Sequence, residues 1–173
     1  MCIRDSEFSL KANLMLANLF SELGRYDEAI KTLEPLNDIS GVFAAASMCM
    51  SRNQFVEAAK QYESLVAMLP EDPGDGTVRV FRPDTSRPGL TEIALPRHAF
   101  YEQYSECLAR SGRPAEAKSI FDRLPLPQDD RDKAARALIQ SMIYAGFATE
   151  KYKGNQDGMP EETSALEQLA SAK

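Results

Sequence analysis

The chain has 173 residues, 43% of them apolar and 27% charged, with a net charge of −6. That length suffices for one domain, or a short solenoid, with a buried core. The acidic balance disfavours nucleic acid and anionic membrane surfaces, which recruit clustered Lys and Arg, and no apolar run approaches the roughly 20 residues that cross a bilayer.

Residues 1–6, Met-Cys-Ile-Arg-Asp-Ser, fit no helical pattern and resemble translated adapter sequence, so a non-native or disordered start is expected there. Arg4, Asp5 and Glu7 interrupt any signal-peptide core. From Glu7 to Leu23 the residues Phe8, Leu10, Leu14, Leu16, Ala17, Phe20 and Leu23 recur at three- and four-residue steps, the mark of one inward helix face. Gly24 ends that helix, because glycine tolerates the left-handed backbone of a helix C-terminus. A second helix is expected over 26–36, with Ala29, Ile30, Leu33 and Leu36 inward and Pro35 limiting its length.

A third helix is expected over 41–51, rich in small residues, with Asn53 taking the turn role of Gly24. A fourth covers 55–69 with Phe55, Ala58, Ala59, Tyr62, Leu65, Val66 and Leu69 inward, stopped by Pro70 and Pro73. Residues 71–96 break this rhythm with prolines and glycines. Within them Thr77–Phe81 alternates like a strand and Thr91–Leu95 is its natural partner. A lone hairpin is marginal, so it has to lean on the helices, and a lid or packing role fits it; the helices are expected to fold without residues 74–95. Helices resume over 97–111 and 114–124, with Gly112 between them and Pro114 in a first helical turn. Asp129 and Asp130 cap a helix over 131–145, with Gly146 as its turn residue. Residues 153–173 read as a loop and a polar capping helix over 161–172, or a tail.

Gly112 and Gly146 are 34 residues apart; Asn53 and Gly112 are 59 apart, which is 34 plus a 25-residue insertion. A 34-residue period of paired helices resembles the tetratricopeptide repeat family. The resemblance is carried by Leu16, Ala17, Phe20, Gly24, Tyr26, Ala29 and Leu33 in the first unit. The second unit matches at Ala45, Ala46, Phe55, Ala58, Tyr62 and Pro70, and the third at Tyr101, Tyr104, Leu108, Gly112, Ala117 and Phe121. Pro114 stands where the family has an aromatic and Ser105 where a small apolar residue is usual. The fourth unit keeps Leu138, Ile139, Met142 and Gly146, but Lys151 replaces the expected Ala. The resemblance implies an all-α, antiparallel helix-pair solenoid over 7–152. It would hold three repeats and a partial fourth, interrupted by the insertion at 71–96.

Little in the chain points to catalysis, and an enzyme is not expected. His98 is the single histidine and no CxxC pair occurs, so neither a metal nor any other cofactor is expected. Cys49 and Cys107 lie among apolar residues of helices and read as buried, inert thiols, which favours a reducing compartment and a cytoplasmic location. Residues 73–76 lack the Lys and Ser/Thr of a phosphate loop.

In the resembled family the first helix of each pair lines a concave groove for a peptide or partner helix. Carried over by repeat position, the groove residues here are Leu14, Asn18, Ser21, Phe43, Ser47, Met50, Glu102, Gln103, Glu106, Arg136 and Gln140. Glu102 and Glu106 stand one helical turn apart, which suits a ligand with basic and apolar groups. The cations of a carboxylate clamp are missing at Leu14, Ala44, Ala99 and Gln103. The resemblance thus implies an interaction scaffold for a protein or peptide. The alternative is a docking or regulatory segment of a larger enzyme or of a secretion or assembly protein. Self-association through the solenoid ends is a further expectation, since such ends need capping.

Overall fold

The computed structural model describes residues 3–69, 76–84, 89–127 and 129–154. The expected helix over 161–172 lies outside these residues, as do residues 71–75 and 85–88 of the insertion. Seven helices and one two-stranded sheet are described: α1 (Ile3–Glu22), α2 (Tyr26–Leu33), α3 (Ile39–Ser51), α4 (Phe55–Ala67), β1 (Thr77–Pro83), β2 (Leu90–Pro96), α5 (Arg97–Arg110), α6 (Pro114–Phe121) and α7 (Asp130–Gly154). α1 packs on α2, α3 on α4 and α5 on α6, and each pair meets the next through α2–α3, α4–α5 and α6–α7.

Each pair turns in the same way. Gly24, Asn53 and Gly112 have φ of +74°, +58° and +81°. At each, the amide of the turn residue donates three residues back and the next amide donates five back. Gly24 N reaches Ser21 O and Arg25 N reaches Phe20 O at 3.0 and 2.8 Å; Asn53 and Gln54 reach Met50 and Cys49, and Gly112 and Arg113 reach Ala109 and Leu108. This double closure satisfies carbonyls that a helix end otherwise leaves open.

Small residues set how closely the helices of a pair approach. Ala17 and Ala29, Ala46 and Ala58, and Ser105 and Ala117 occupy equivalent places in the three pairs, and all six are fully buried. The serine is no misfit. Its hydroxyl donates to the carbonyl of Ala117 at 2.9 Å, so the buried oxygen has its partner and the crossing keeps its close approach.

The expected pairing forms, antiparallel, with Val78 opposite Leu95 and Val80 opposite Ile93. β1 lies against α1 and α3, and β2 against α5, the first helices of the three pairs. Val80 is fully buried in the larger core cluster, beside which Val78, Ile93 and Leu95 are partly buried. Phe81 and Leu90 pack on the smaller cluster of Leu14, Ala17, Ala29, Leu33 and Ala45. The Phe81 amide donates to Ser40 Oγ at 3.1 Å and Lys11 Nζ lies 4.8 Å from the Phe81 ring centroid. The hairpin thus leans on the helices as a lone two-stranded sheet must, and contributes to both core clusters.

Three expectations need correction. α1 begins at Ile3, so residues 3–6, expected to fit no helical pattern, are helical. Phe8, Leu16 and Leu23, assigned to the inward face of α1, are exposed, whereas Leu14 and Ala17 carry its buried contacts. Finally, Gly146 is not a turn: α7 runs through it to Gly154. A Cβ at Gly146 would come within 2.9 Å of Pro114 Cβ, so this glycine permits close contact between α7 and the start of α6.

Ala29→Leu is expected to overpack the first crossing, cost about 1–3 kcal/mol, and lower the melting temperature far more than Glu28→Leu, whose side chain is exposed; equal shifts would contradict the small-residue crossing. Val80→Ala is expected to cost about 2 kcal/mol in a denaturant titration, and a hairpin that only rests on the surface would show almost no change.

Candidate interaction face

The first helices α1, α3 and α5 present one common face opposite their second helices. The hairpin divides it. At the N-terminal level, Lys11 and Ser40 are taken up by Phe81, and Leu14 lies beneath the hairpin at 3% exposure. Leu14 is therefore a core residue, closed to a ligand, and not the groove residue that repeat position suggests. Phe43 is also engaged: its ring meets Phe100 edge-on with centroids 5.3 Å apart.

The C-terminal level of the same face stays partly open. Asn18 and Ser21 of α1 and Met50 of α3 are half-buried, and Ser47 is exposed. Asn18 Nδ2 donates to Glu22 Oε1 at 2.8 Å, and Ser47 Oγ donates to the Phe43 carbonyl at 2.8 Å. Gln103 of α5 accepts from the hydroxyl of Tyr62, a fully buried side chain of α4, so its amide is held by the neighbouring pair. Burial pushes the Tyr62 phenol well above its ordinary value, and the hydroxyl remains a protonated donor.

The two carboxylates differ sharply. Glu102 forms an ion pair of 2.7 Å with Arg136 of α7, with side chains only 16% and 9% exposed. Arg136 also donates to the carbonyl of Pro125. This pair joins α5, α7 and the segment between α6 and α7, and its charges are spent on each other. Glu106 pairs with Arg110 at 2.9 Å, nearer the solvent, and Arg110 in turn lies 4.8 Å from the Phe55 ring centroid. The pairing of Glu106 was legible in the four-residue spacing of α5; the roles of Tyr62 and Phe81 were not, since both act across the fold. Gln140 sits apart, in a shallow depression with Lys118, Phe121, Asp122, Ile143 and Tyr144. Asn18, Ser21, Ser47, Met50, Gln103 and Glu106 thus keep exposed or half-buried positions on the first helices, whereas Leu14, Phe43, Glu102 and Arg136 are put to structural use.

The thiols of Cys49 and Cys107 are buried and held in the protonated form. Burial raises the Cys49 thiol above its ordinary value and pushes that of Cys107 up to about 12. Among the described residues, no three His, Cys, Asp or Glu side chains gather to hold a metal ion, and no helix is long and apolar enough to cross a membrane. His98 stands half-buried in the first turn of α5.

Residues 14–35 match the family model of the tetratricopeptide repeat. The match covers the C-terminal part of α1, the Gly24 turn and all of α2. No curated protein and no solved structure gives a match.

Arg136→Ala is expected to strand the Glu102 carboxylate in a low-dielectric site and to destabilise the fold by about 3–5 kcal/mol in a denaturant titration. Glu106→Gln, at the more exposed pair, should cost no more than about 1 kcal/mol. Equal costs would mean that the Glu102–Arg136 pair is not buried in solution.

Proposed function

We propose that this chain, which carries a tetratricopeptide repeat, is an interaction scaffold that binds a protein segment on the open, C-terminal level of its first-helix face. One observation carries the reading. The hairpin closes the N-terminal level, and what remains accessible is a mixed surface of exposed Ser47 and half-buried Asn18, Ser21, Met50 and Glu106, contributed by the first helices of three successive pairs. Amide, hydroxyl, thioether and carboxylate groups side by side suit an extended peptide or the polar edge of a partner helix, bound through several modest contacts. Glu102 is withdrawn from this surface by Arg136 and Glu106 is half-neutralised by Arg110. The ligand is accordingly a polar and apolar segment with few basic groups, rather than the strongly basic one that two free carboxylates would select. The function proposed is binding without turnover and without a cofactor.

The test is capture of partners from source lysate by the purified chain, by Ser47→Trp on the open level, and by Ser119→Trp on the exposed side of α6. A specific partner is expected to be retained by the parent and by Ser119→Trp. Capture by Ser47→Trp should be about tenfold lower at an unchanged melting temperature. Equal capture by all three would place the binding surface elsewhere.

A further inference from the structure

One side of α1 carries a continuous apolar stripe that nothing in the described fold covers. Phe8, Met15, Leu16, Leu19 and Leu23 are 77%, 44%, 43%, 53% and 70% exposed, and Ala12 between them is exposed as well. At helical spacing these residues share one face. Between Lys11 and Glu22 the helix has no charged residue, and Lys11 is directed to the hairpin, over Phe81.

The later helix pairs show what such a face does. Aligned on the turn residues Gly24, Asn53 and Gly112, the positions Ala12, Leu16 and Leu19 correspond to Gly41, Ala45 and Met48 in α3 and to Phe100, Tyr104 and Cys107 in α5. Five of those six are buried and Met48 is half-buried. They are covered because α2 packs on α3 and α4 packs on α5; at Gly41 the covering group is Leu36, which follows α2. The same face of α1 has the same apolar character, yet no preceding helix among the described residues.

We propose that this face is the contact between two copies of the chain, with α1 packed antiparallel on α1 about a twofold axis near Met15 and Leu16. The stripe is self-complementary. Its midpoint falls between those two residues, so Phe8 of one copy comes to lie near Leu23 of the other. The absence of charge from residues 12 to 21 leaves no like-charge penalty when a surface meets itself. The exposed parts of the five side chains amount to a patch of roughly 500 Å², near the top of what a monomer's largest apolar patch reaches. Two such patches face to face approach the ~1,000 Å² that a specific interface needs. This proposal does not rest on the binding reading above.

Sedimentation velocity of the full chain across the micromolar range tests the proposal. A concentration-dependent dimer is expected, and Leu19→Glu should weaken it at least about tenfold. Because Leu19 is half exposed, the helical circular dichroism and the melting temperature should stay unchanged. A second variant fixes the geometry: with Cys2→Ser, Met15→Cys is expected to form a symmetric intermolecular disulfide under mild oxidation, since the two sulfurs would sit beside the axis. The proposal is overturned by a chain that stays monomeric throughout the range, and equally by a dimer indifferent to Leu19→Glu. A dimer that is lost in Leu19→Glu but gives no Met15→Cys disulfide overturns the twofold arrangement and indicates head-to-tail or heterologous stacking.

Discussion

The close crossing of small residues within each helix pair is the constraint on which the rest of the structure depends. Ala17 on Ala29, Ala46 on Ala58 and Ser105 on Ala117 are fully buried and repeat at one spacing around a left-handed turn residue. Because the helices approach closely there, the large side chains are displaced outward to the neighbouring pair, where Tyr62, Leu65, Phe100 and Leu108 fill the space between successive pairs. Interiors are packed nearly as densely as organic crystals, so the size of the residue at the crossing fixes the angle and depth of everything stacked on it. Gly146 extends the same logic beyond the third pair, since its missing Cβ is what lets α7 lie against Pro114.

The hairpin is the second organising element, and it changes what the array offers to a ligand. A helix-pair array by itself leaves the face of its first helices exposed. Here β1 and β2 lie across that face, Val80 enters the main core, and Phe81 is held by a hydrogen bond from its backbone N–H to Ser40 Oγ and by the Lys11 ammonium. The hairpin gains the support that a two-stranded sheet cannot supply alone. In return the helices gain a cover for Leu14, and the accessible part of the face shrinks to the level of Asn18, Ser47 and Glu106. Any ligand of this face meets the hairpin as a wall.

Polar groups inside the molecule are paired with similar economy. Glu102 and Arg136 neutralise one another across α5 and α7, Tyr62 binds Gln103 across α4 and α5, and Ser105 binds the backbone of Ala117. Each joins two different helices, and each would be costly to break because the remaining partner would be left unsatisfied in a buried or part-buried place. The buried thiols Cys49 and Cys107 belong to the same interior and are pushed toward the protonated form by the loss of solvent.

The sequence by itself determined the local plan. The helix pairs, the turns at Gly24, Asn53 and Gly112, the alanines at the crossings and the pairing of 77–81 with 91–95 all follow from effects that act within a few residues: three- and four-residue periodicity, the backbone freedom of Gly and Asn, and the alternation of a strand. Only the tertiary structure decided which apolar residues of α1 face inward, that Leu14 is roofed over while Phe8 and Leu23 stay in solvent, and that Glu102 is bound to Arg136 one repeat away. Gly146 shows the division most clearly. Its 34-residue spacing from Gly112 reads as a turn, yet the helix continues through it, because what requires a glycine there is the ring of Pro114. Local rules specify how a segment is shaped; which neighbour it meets is a property of the whole packed chain.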